Sequence, residues 1–148
     1  MTATETTAPK LDRLVRQRGV GGGVVVPRVT TGQLDIERRQ DKATIDAVYS
    51  FMDQLKDRYS IHAAFVYGSR ARGTHRPDSD VDLAVVLNDP IANRFSVARD
   101  MARTAFHVMM ETGLMIEALP LSVDEYEFPE RFPIPHLVET IRRDGIKM

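Results

Sequence analysis

The sequence predicts an α+β domain in which a small mixed β-sheet is flanked by helices. Three apolar runs of strand length, at 61–67, 80–87 and 114–121, supply the sheet. Apolar residues at helical spacing over 41–55 and 95–109 supply two longer helices. The second and third runs are joined through a helix, which favours parallel strands, whereas the first two are joined by a short segment and would pair antiparallel as neighbours.

The ends of these elements carry local signals. Asp41 can cap the first long helix, and Asp89-Pro90 is a typical start signal that we expect to begin the second. Gly113 is placed to end that second helix. The segment 125–135 contains three prolines and is expected to be an irregular loop. A last short helix is expected to close at Gly145.

The composition is that of one globular domain with an N-terminal extension. The chain has 148 residues, 43% of them hydrophobic and 28% charged, which suits a single domain with a real core. We expect residues 1–40 to form a partly disordered extension and residues 41–148 to form the domain. The sequence contains no cysteine, which excludes disulfides, thiolate zinc sites and cysteine nucleophiles.

Charge and hydropathy exclude further classes of function. The formal net charge of −1 gives no support for broad electrostatic binding of nucleic acid. No apolar run approaches the length of a membrane span, and the first ten residues lack the apolar stretch of a secretory signal. We therefore expect a cytoplasmic protein that binds neither membrane nor nucleic acid.

A glycine-serine turn with two arginines follows the first predicted strand. Gly68 allows the backbone to turn sharply and to approach a ligand closely. Ser69 begins a turn whose free N–H groups suit an anion, and its hydroxyl can donate to a phosphate. Arg70 and Arg72 can reach phosphate oxygens with forked, permanently charged donors. These four residues are the predicted nucleotide-binding set.

Two aspartates at the start of the second predicted strand complete the motif. Asp80 and Asp82 lie two apart, so on a strand both carboxylates would point to one face and repel each other. A cation between them removes that repulsion, and hard oxygen ligands suit Mg²⁺. An isolated Asp-x-Asp is more often a pair of solvated turn residues, but the glycine-serine turn upstream favours a metal site.

Glu117 is the third candidate carboxylate. It interrupts a run, 114–121, that is otherwise apolar on both faces, and a charge in a fully buried strand is costly unless it is paired or binds metal. On a strand parallel to the second, Glu117 could face Asp80 and Asp82 as metal ligand or as base toward an acceptor hydroxyl. The other possibility is an edge strand with Glu117 in water.

These residues resemble the DNA-polymerase-β-like nucleotidyltransferase superfamily. Its signature is Gly-Ser, a short intervening stretch, Asp-x-Asp and a later third carboxylate, here Gly68-Ser69, Asp80-Val81-Asp82 and Glu117. The longer strings 68–74 and 77–83 are similar to the bacterial minimal nucleotidyltransferases, and the resemblance covers 41–148. It implies a polymerase-β-like core, a Mg²⁺ site with two metal ions, and transfer of AMP from ATP to a hydroxyl.

The resemblance also implies a partner. Many minimal members act as antitoxins that add AMP to a tyrosine of a HEPN-type RNase toxin and form a complex with it. One departure is that the third carboxylate, often Asp in the family, is Glu117 here. Two alternatives stay open: transfer to a small molecule such as an aminoglycoside, for which this chain offers no further domain, and an antitoxin that blocks its partner by contact alone.

Overall fold

A computed structural model describes residues 40–148 of the chain, so all but the last residue of the predicted extension lies outside the described part. The strands are β1 (Ile61–Tyr67), β2 (Val81–Leu87), β3 (Ile116–Ser122) and β4 (Ile146–Lys147). The α-helices are α1 (Lys42–Leu55), α2 (Gly68–Arg72), α3 (Arg94–Thr112), α4 (Val123–Glu127) and α5 (Pro135–Asp144), with a 3-10 turn at Pro129–Arg131. The predicted α+β class is confirmed.

The four strands form one mixed sheet in the order β3-β2-β1-β4. β1 pairs antiparallel with β2, and β2 pairs parallel with β3, as the lengths of the connections predicted. The short β4, which the sequence analysis missed, pairs antiparallel with β1. β3 therefore lies at an edge of the sheet, and this position decides the surroundings of its side chains.

Both faces of the sheet are covered. On one face α1 and α3 pack on β1 and β2, and the buried side chains include Val48, Phe51, Leu83, Met101 and Val108. On the other face α5 packs against the sheet, and the buried side chains include Ala84, Val86, Leu121, Val138 and Ile141. β2 is buried on both faces, which explains why it reads as a nearly continuous apolar run.

The helix ends follow the capping rules, with one correction. Asp41 caps α1, since its carboxylate accepts from the Thr44 amide at 2.7 Å. Gly113 ends α3 with a φ of 80°. The prediction that Asp89-Pro90 begins α3 is wrong, because Asn93 is the cap: its side chain accepts from the Ser96 amide at 3.0 Å.

The segment predicted as an irregular loop contains two helical pieces. Ser122 and Glu125 form a capping box at the start of α4, and the 3-10 turn follows. Arg94 at the start of α3 donates to the Glu125 carboxylate and to the backbone carbonyl of Pro120. This contact fixes the end of β3 against α3. Within residues 40–148, no helix is long and apolar enough to span a bilayer.

Candidate active site

The start of β2 lies between β1 and β3 at the edge of the sheet where the predicted site residues meet. Asp82 pairs with Tyr67, the last residue of β1, and with Glu117 in the parallel ladder to β3. Gly68 follows Tyr67 directly and begins α2. The antiparallel and parallel pairings together thus bring the glycine-serine turn, Asp82 and Glu117 to one place.

The backbone at Gly68 approaches the carboxylate of Asp82 closely. Its φ is 69°, in the left-handed region that favours glycine. A Cβ built on Gly68 would lie 2.3 Å from Oδ2 of Asp82, well inside van der Waals contact. Glycine is therefore required here for two reasons, the backbone conformation and the close approach of a carboxylate.

The carboxylate of Asp82 is half-buried and unfavourably placed for a charge. Burial raises the pKa of Asp82, and the negative charges of Glu117 and Asp80 raise it further, while the Arg72 charge lowers it. Burial also raises the pKa of Tyr67 to about 12, with the charges of Asp82 and Glu117 adding to the effect. The described part of the site is thus a negative centre that would favour a cation.

Asp80 lies just before β2 rather than on it, so the argument from a shared strand face does not hold for it. It is exposed, and its charge still acts on Asp82. Asp80 and Glu117 line the same cavity of about 470 Å³ between α3 and β3. The rest of its lining is apolar: Ala98, Ala102, Ala105, Met115, Ile116 and Ala118.

Glu117 is exposed, which corrects the expectation of a charge in a strand buried on both faces. The reason is the position of β3 at the sheet edge, where its start is open to solvent. The structure nevertheless places Glu117 beside Asp82, as the predicted parallel pairing requires. Two expectations from the sequence therefore hold together: Glu117 lies on an edge strand, and it pairs with Asp82 on the neighbouring strand.

Arg70 does not face a ligand, and the prediction that it binds phosphate is corrected. Its side chain is 2% exposed. The guanidinium donates to the backbone carbonyls of Ser79 and Pro77 and to the hydroxyl of Thr44. With its donors directed into the protein, Arg70 is removed from the nucleotide-binding set.

Ser69 and Arg72 remain candidates for phosphate contacts. Ser69 lies in the first turn of α2 and is half-buried, and no side chain in residues 40–148 caps this helix. Arg72 is exposed and close enough to lower the pKa of Asp82. Both therefore lie beside the carboxylates with groups that can donate to an anion.

The oxygen atoms of the carboxylates are suitable ligands for a divalent cation, but these side chains alone do not form a complete coordination sphere. Within residues 40–148, no three Asp, Glu or His side chains converge as a ready metal centre. The negative charge of Glu117 contributes to the raised pKa of Asp82. A cation with oxygen ligands would offset the repulsion between these carboxylates, and nucleotide oxygens would add further ligands.

Two residues at the site were not predicted. Tyr67 ends β1 next to Gly68, and the negative charges of Asp82 and Glu117 help to raise the pKa of its hydroxyl. Asp41 was predicted only as a helix cap, yet it also contacts His75 at 3.0 Å and Arg70 at 3.4 Å. A tyrosine at the end of an apolar strand carries no recognisable signal. The second role of Asp41 depends on long-range packing.

A family model matches the part of the chain that carries the glycine-serine turn and the carboxylates. Residues 50–117 match the family model described as "Polymerase beta, Nucleotidyltransferase", and this segment contains Gly68, Ser69, Asp80, Asp82 and Glu117. Residues 50–117 are thus similar to polymerase-β-like nucleotidyltransferases.

The solved structures to which the chain is similar include two described as toxin–antitoxin systems. A mutant of the toxin–antitoxin MntA-HpeT is 17% identical over 68% of this chain and 70% of that chain, with a TM-score of 0.48. A toxin–antitoxin with AMP-PNP is 16% identical over 69% of each chain, with a TM-score of 0.43.

A putative nucleotidyltransferase from Sulfolobus solfataricus is 15% identical over 83% of this chain and 90% of that chain, with a TM-score of 0.40. A search of curated proteins gave no significant match.

Proposed function

We propose that this chain transfers AMP from ATP to a hydroxyl of a protein partner and releases pyrophosphate. One observation carries the proposal: the sheet register places Glu117 beside Asp82, next to the turn that begins at Gly68. This combines carboxylates for a metal-bound polyphosphate with a turn for phosphate oxygens. The nucleotidyltransferase family match covers all these residues.

The residues take separate roles in this reaction. Asp80, Asp82 and Glu117 would hold Mg²⁺, which when bound neutralises phosphate charge and polarises the reacting phosphorus. Ser69 and Arg72 donate to phosphate oxygens and orient the triphosphate. Glu117 is exposed at the strand edge, so it can also accept the proton of an incoming acceptor hydroxyl.

We further propose that the acceptor is a tyrosine of a HEPN-type toxin and that the chain acts as its antitoxin. The motif strings 68–74 and 77–83, which resemble bacterial minimal nucleotidyltransferases, support this. The cavity beside Glu117 adds chemical support, because a mostly apolar lining that includes two carboxylates suits an aromatic ring that bears a hydroxyl.

The test is transfer of labelled nucleotide to a purified candidate partner. The chain, Mg²⁺, the partner and ATP labelled on the α-phosphate or on the γ-phosphate are incubated, and intact mass is measured. We expect the partner to gain mass equal to one or more AMP units, with label only from the α-phosphate. Fragmentation should place the modification on a tyrosine.

Two variants and one control locate the chemistry. Asp82→Asn should reduce transfer sharply because it removes the charge of a metal ligand. Glu117→Gln should do the same because it removes the group that accepts the proton. Asp53→Asn is the control, because Asp53 is an exposed aspartate on α1 that pairs with Lys56. Inhibition of the partner with no gain of mass would instead support an antitoxin that acts by contact alone.

A further inference from the structure

Arg70 occupies a buried position between α1 and the segment that leads into β2. Its Nε and Nη2 atoms both donate to the backbone carbonyl of Ser79, at 3.1 and 2.6 Å. Nη2 also lies 3.3 Å from the carbonyl of Pro77. One guanidinium therefore binds two carbonyls of the turn that immediately precedes Asp80.

The opposite edge of the guanidinium is attached to α1. Nη1 donates to the hydroxyl of Thr44 at 2.8 Å and lies 3.4 Å from the Asp41 carboxylate. Thr44 is fully buried, so this contact is shielded from water. The backbone carbonyl of Arg70 in turn accepts from the Gln40 side chain at 3.1 Å.

Asp80 is held between two anchors. On one side, Ser79 is bound through its carbonyl to Arg70. On the other side, the Val81 amide donates to the Met115 carbonyl at 2.8 Å, where β2 meets the segment before β3. Asp80 itself is exposed and lies outside the strand ladder, so the position of its carboxylate depends on these flanking anchors.

Only an arginine can make this set of contacts. The planar guanidinium presents donors on several edges in a fixed geometry, whereas the lysine ammonium is a compact point charge on a flexible stem. A buried cation without its partners is also strongly destabilising. Lysine at position 70 would keep the charge but could not bind Ser79, Pro77 and Thr44 together.

We propose that Arg70 is a positioning residue that fixes the Asp80 carboxylate for divalent-cation binding. This inference rests on the proposed function, since it assigns Arg70 to the same metal-nucleotide site. Arg70 acts through the 77–79 turn and touches neither substrate nor metal. Releasing the turn should therefore weaken cation binding while the phosphate contacts of Ser69 and Arg72 remain.

The test compares two variants with a matched control. Arg70→Lys removes the planar guanidinium but keeps the positive charge. Thr44→Val removes the hydroxyl that accepts from Nη1 and leaves Arg70 in place. Arg58→Lys is the control, because Arg58 also bridges separate elements through its fork: it donates to Asp100 at 2.7 Å and to Thr104 at 2.6 Å. Those contacts join the C-terminal end of α1 to α3, outside the candidate site.

Two measurements on the full chain separate positioning from general destabilisation. Mn²⁺ binding in the presence of ATP is followed by electron paramagnetic resonance. Hydrogen exchange is followed at the amides of residues 79–81. We expect Arg70→Lys to weaken Mn²⁺ binding about tenfold or more, as removal of a residue that orients metal ligands does. The exchange of these amides should become faster.

The effects of the other two variants on Mn²⁺ binding and on amide exchange should be smaller. Thr44→Val should shift both measurements less than Arg70→Lys, and Arg58→Lys should shift neither, even if its melting temperature falls as much. In nucleotide turnover, Arg70→Lys should raise the Mg²⁺ concentration for half-maximal rate, and saturating metal should restore most of kcat.

Two results would overturn the proposal. One is an unchanged Mn²⁺ affinity in Arg70→Lys beside a loss of melting temperature like that of Arg58→Lys. The other is unchanged exchange at residues 79–81. If the wild type itself binds no Mn²⁺ with ATP, the proposed function fails, and the exchange measurement still decides whether Arg70 holds the turn.

Discussion

A glutamate lies near each end of β3, and the two carboxylates have opposite surroundings. At the far end, Glu125 accepts from the Ser122 amide at 3.0 Å and from the Arg94 guanidinium, which also lies 4.8 Å from the Phe132 ring centre. At the near end, Glu117 lies beside Asp82, and the two negative charges oppose each other.

The difference separates a carboxylate that stabilises the fold from carboxylates available for chemistry. Glu125 has a cation and a backbone donor, so its charge is compensated by the protein itself. Asp82 has a raised pKa because burial and two neighbouring carboxylates disfavour its charge. Within residues 40–148 the near end thus keeps an unfavourable concentration of negative charge, which is the property expected of a cation site.

The largest effect is expected from Asp82→Asn, which removes the half-buried charge at the near end. Turnover should fall about a hundredfold or more, equivalent to ~2.7 kcal/mol of transition-state stabilisation. Single-turnover transfer at saturating Mg²⁺ measures it, with Asp53→Asn as the control for loss of a surface carboxylate. Turnover within twofold of the wild type would remove Asp82 from the site.

Gly68→Ala should give the next largest effect, because it affects both the backbone and Asp82. The alanine must adopt a φ of 69°, and its Cβ would meet the Asp82 carboxylate at 2.3 Å. The left-handed conformation alone costs about 1–2 kcal/mol of folding free energy, and displacement of Asp82 adds to that and lowers turnover. Urea unfolding and transfer assays measure the two consequences.

Gly113→Ala is the matched control for Gly68→Ala. Gly113 has a φ of 80°, but no described atom outside its chain neighbours lies within 4 Å of a Cβ built there. It should therefore lose only the conformational part of the stability and keep its turnover. Equal losses of stability and equal turnover in the two variants would show that the contact with Asp82 has no effect.

Glu125→Gln tests the compensated end of β3. The amide keeps the shape of the side chain but loses the charge that faces Arg94, so the free energy of unfolding should fall by about 1–2 kcal/mol. Transfer should remain at the wild-type rate. Glu127→Gln, an exposed carboxylate at the end of α4, is the control and should be neutral in the same urea titration. A neutral Glu125→Gln would contradict the assigned structural role.

The smallest effect is a pH dependence of stability in the metal-free protein. The folded state raises the pKa of Asp82, so it holds that proton more tightly than the unfolded chain does. The resulting stabilisation is complete below the unfolded pKa of about 3.9 and is lost as pH rises through the folded pKa.

Melting curves in EDTA measure this dependence. Asp82→Asn cannot ionise, so it should melt above the wild type at pH 7, with the difference shrinking toward pH 4. Mg²⁺ with ATP should raise the melting temperature of the wild type more than that of the variant. A difference that is the same at every pH would exclude Asp82 as its origin.

Local patterns predicted most of the elements and the core of the site. Strand-length apolar runs located β1 to β3, and connection lengths gave their parallel and antiparallel pairing. These pairings also predicted that Glu117 lies beside Asp82. The family match includes both residues. The extension over 1–39 lies outside the described residues, and its role stays a prediction.

The failures come from long-range packing. The exposure of Glu117 depends on strand order: within residues 40–148 no strand pairs with the outer side of β3. Sequence periodicity does not encode that order. Sequence alone predicts that Arg70 is an accessible cation, yet acceptors on α1 and in the 77–79 turn bind its guanidinium in the structure. The Ser122–Glu125 capping box was visible in the sequence, but the prolines after it favoured a loop.

The contact between Arg94 and Pro120 has a consequence for self-association. Pro120 has no N–H, and its carbonyl is bound by Arg94 rather than by β2. In a parallel strand the N–H and C=O of one residue point to the same side, so at this position the outer edge of β3 has neither a donor nor a free acceptor. A strand of a second chain would find no hydrogen-bond partner at this position, which disfavours edge-to-edge aggregation.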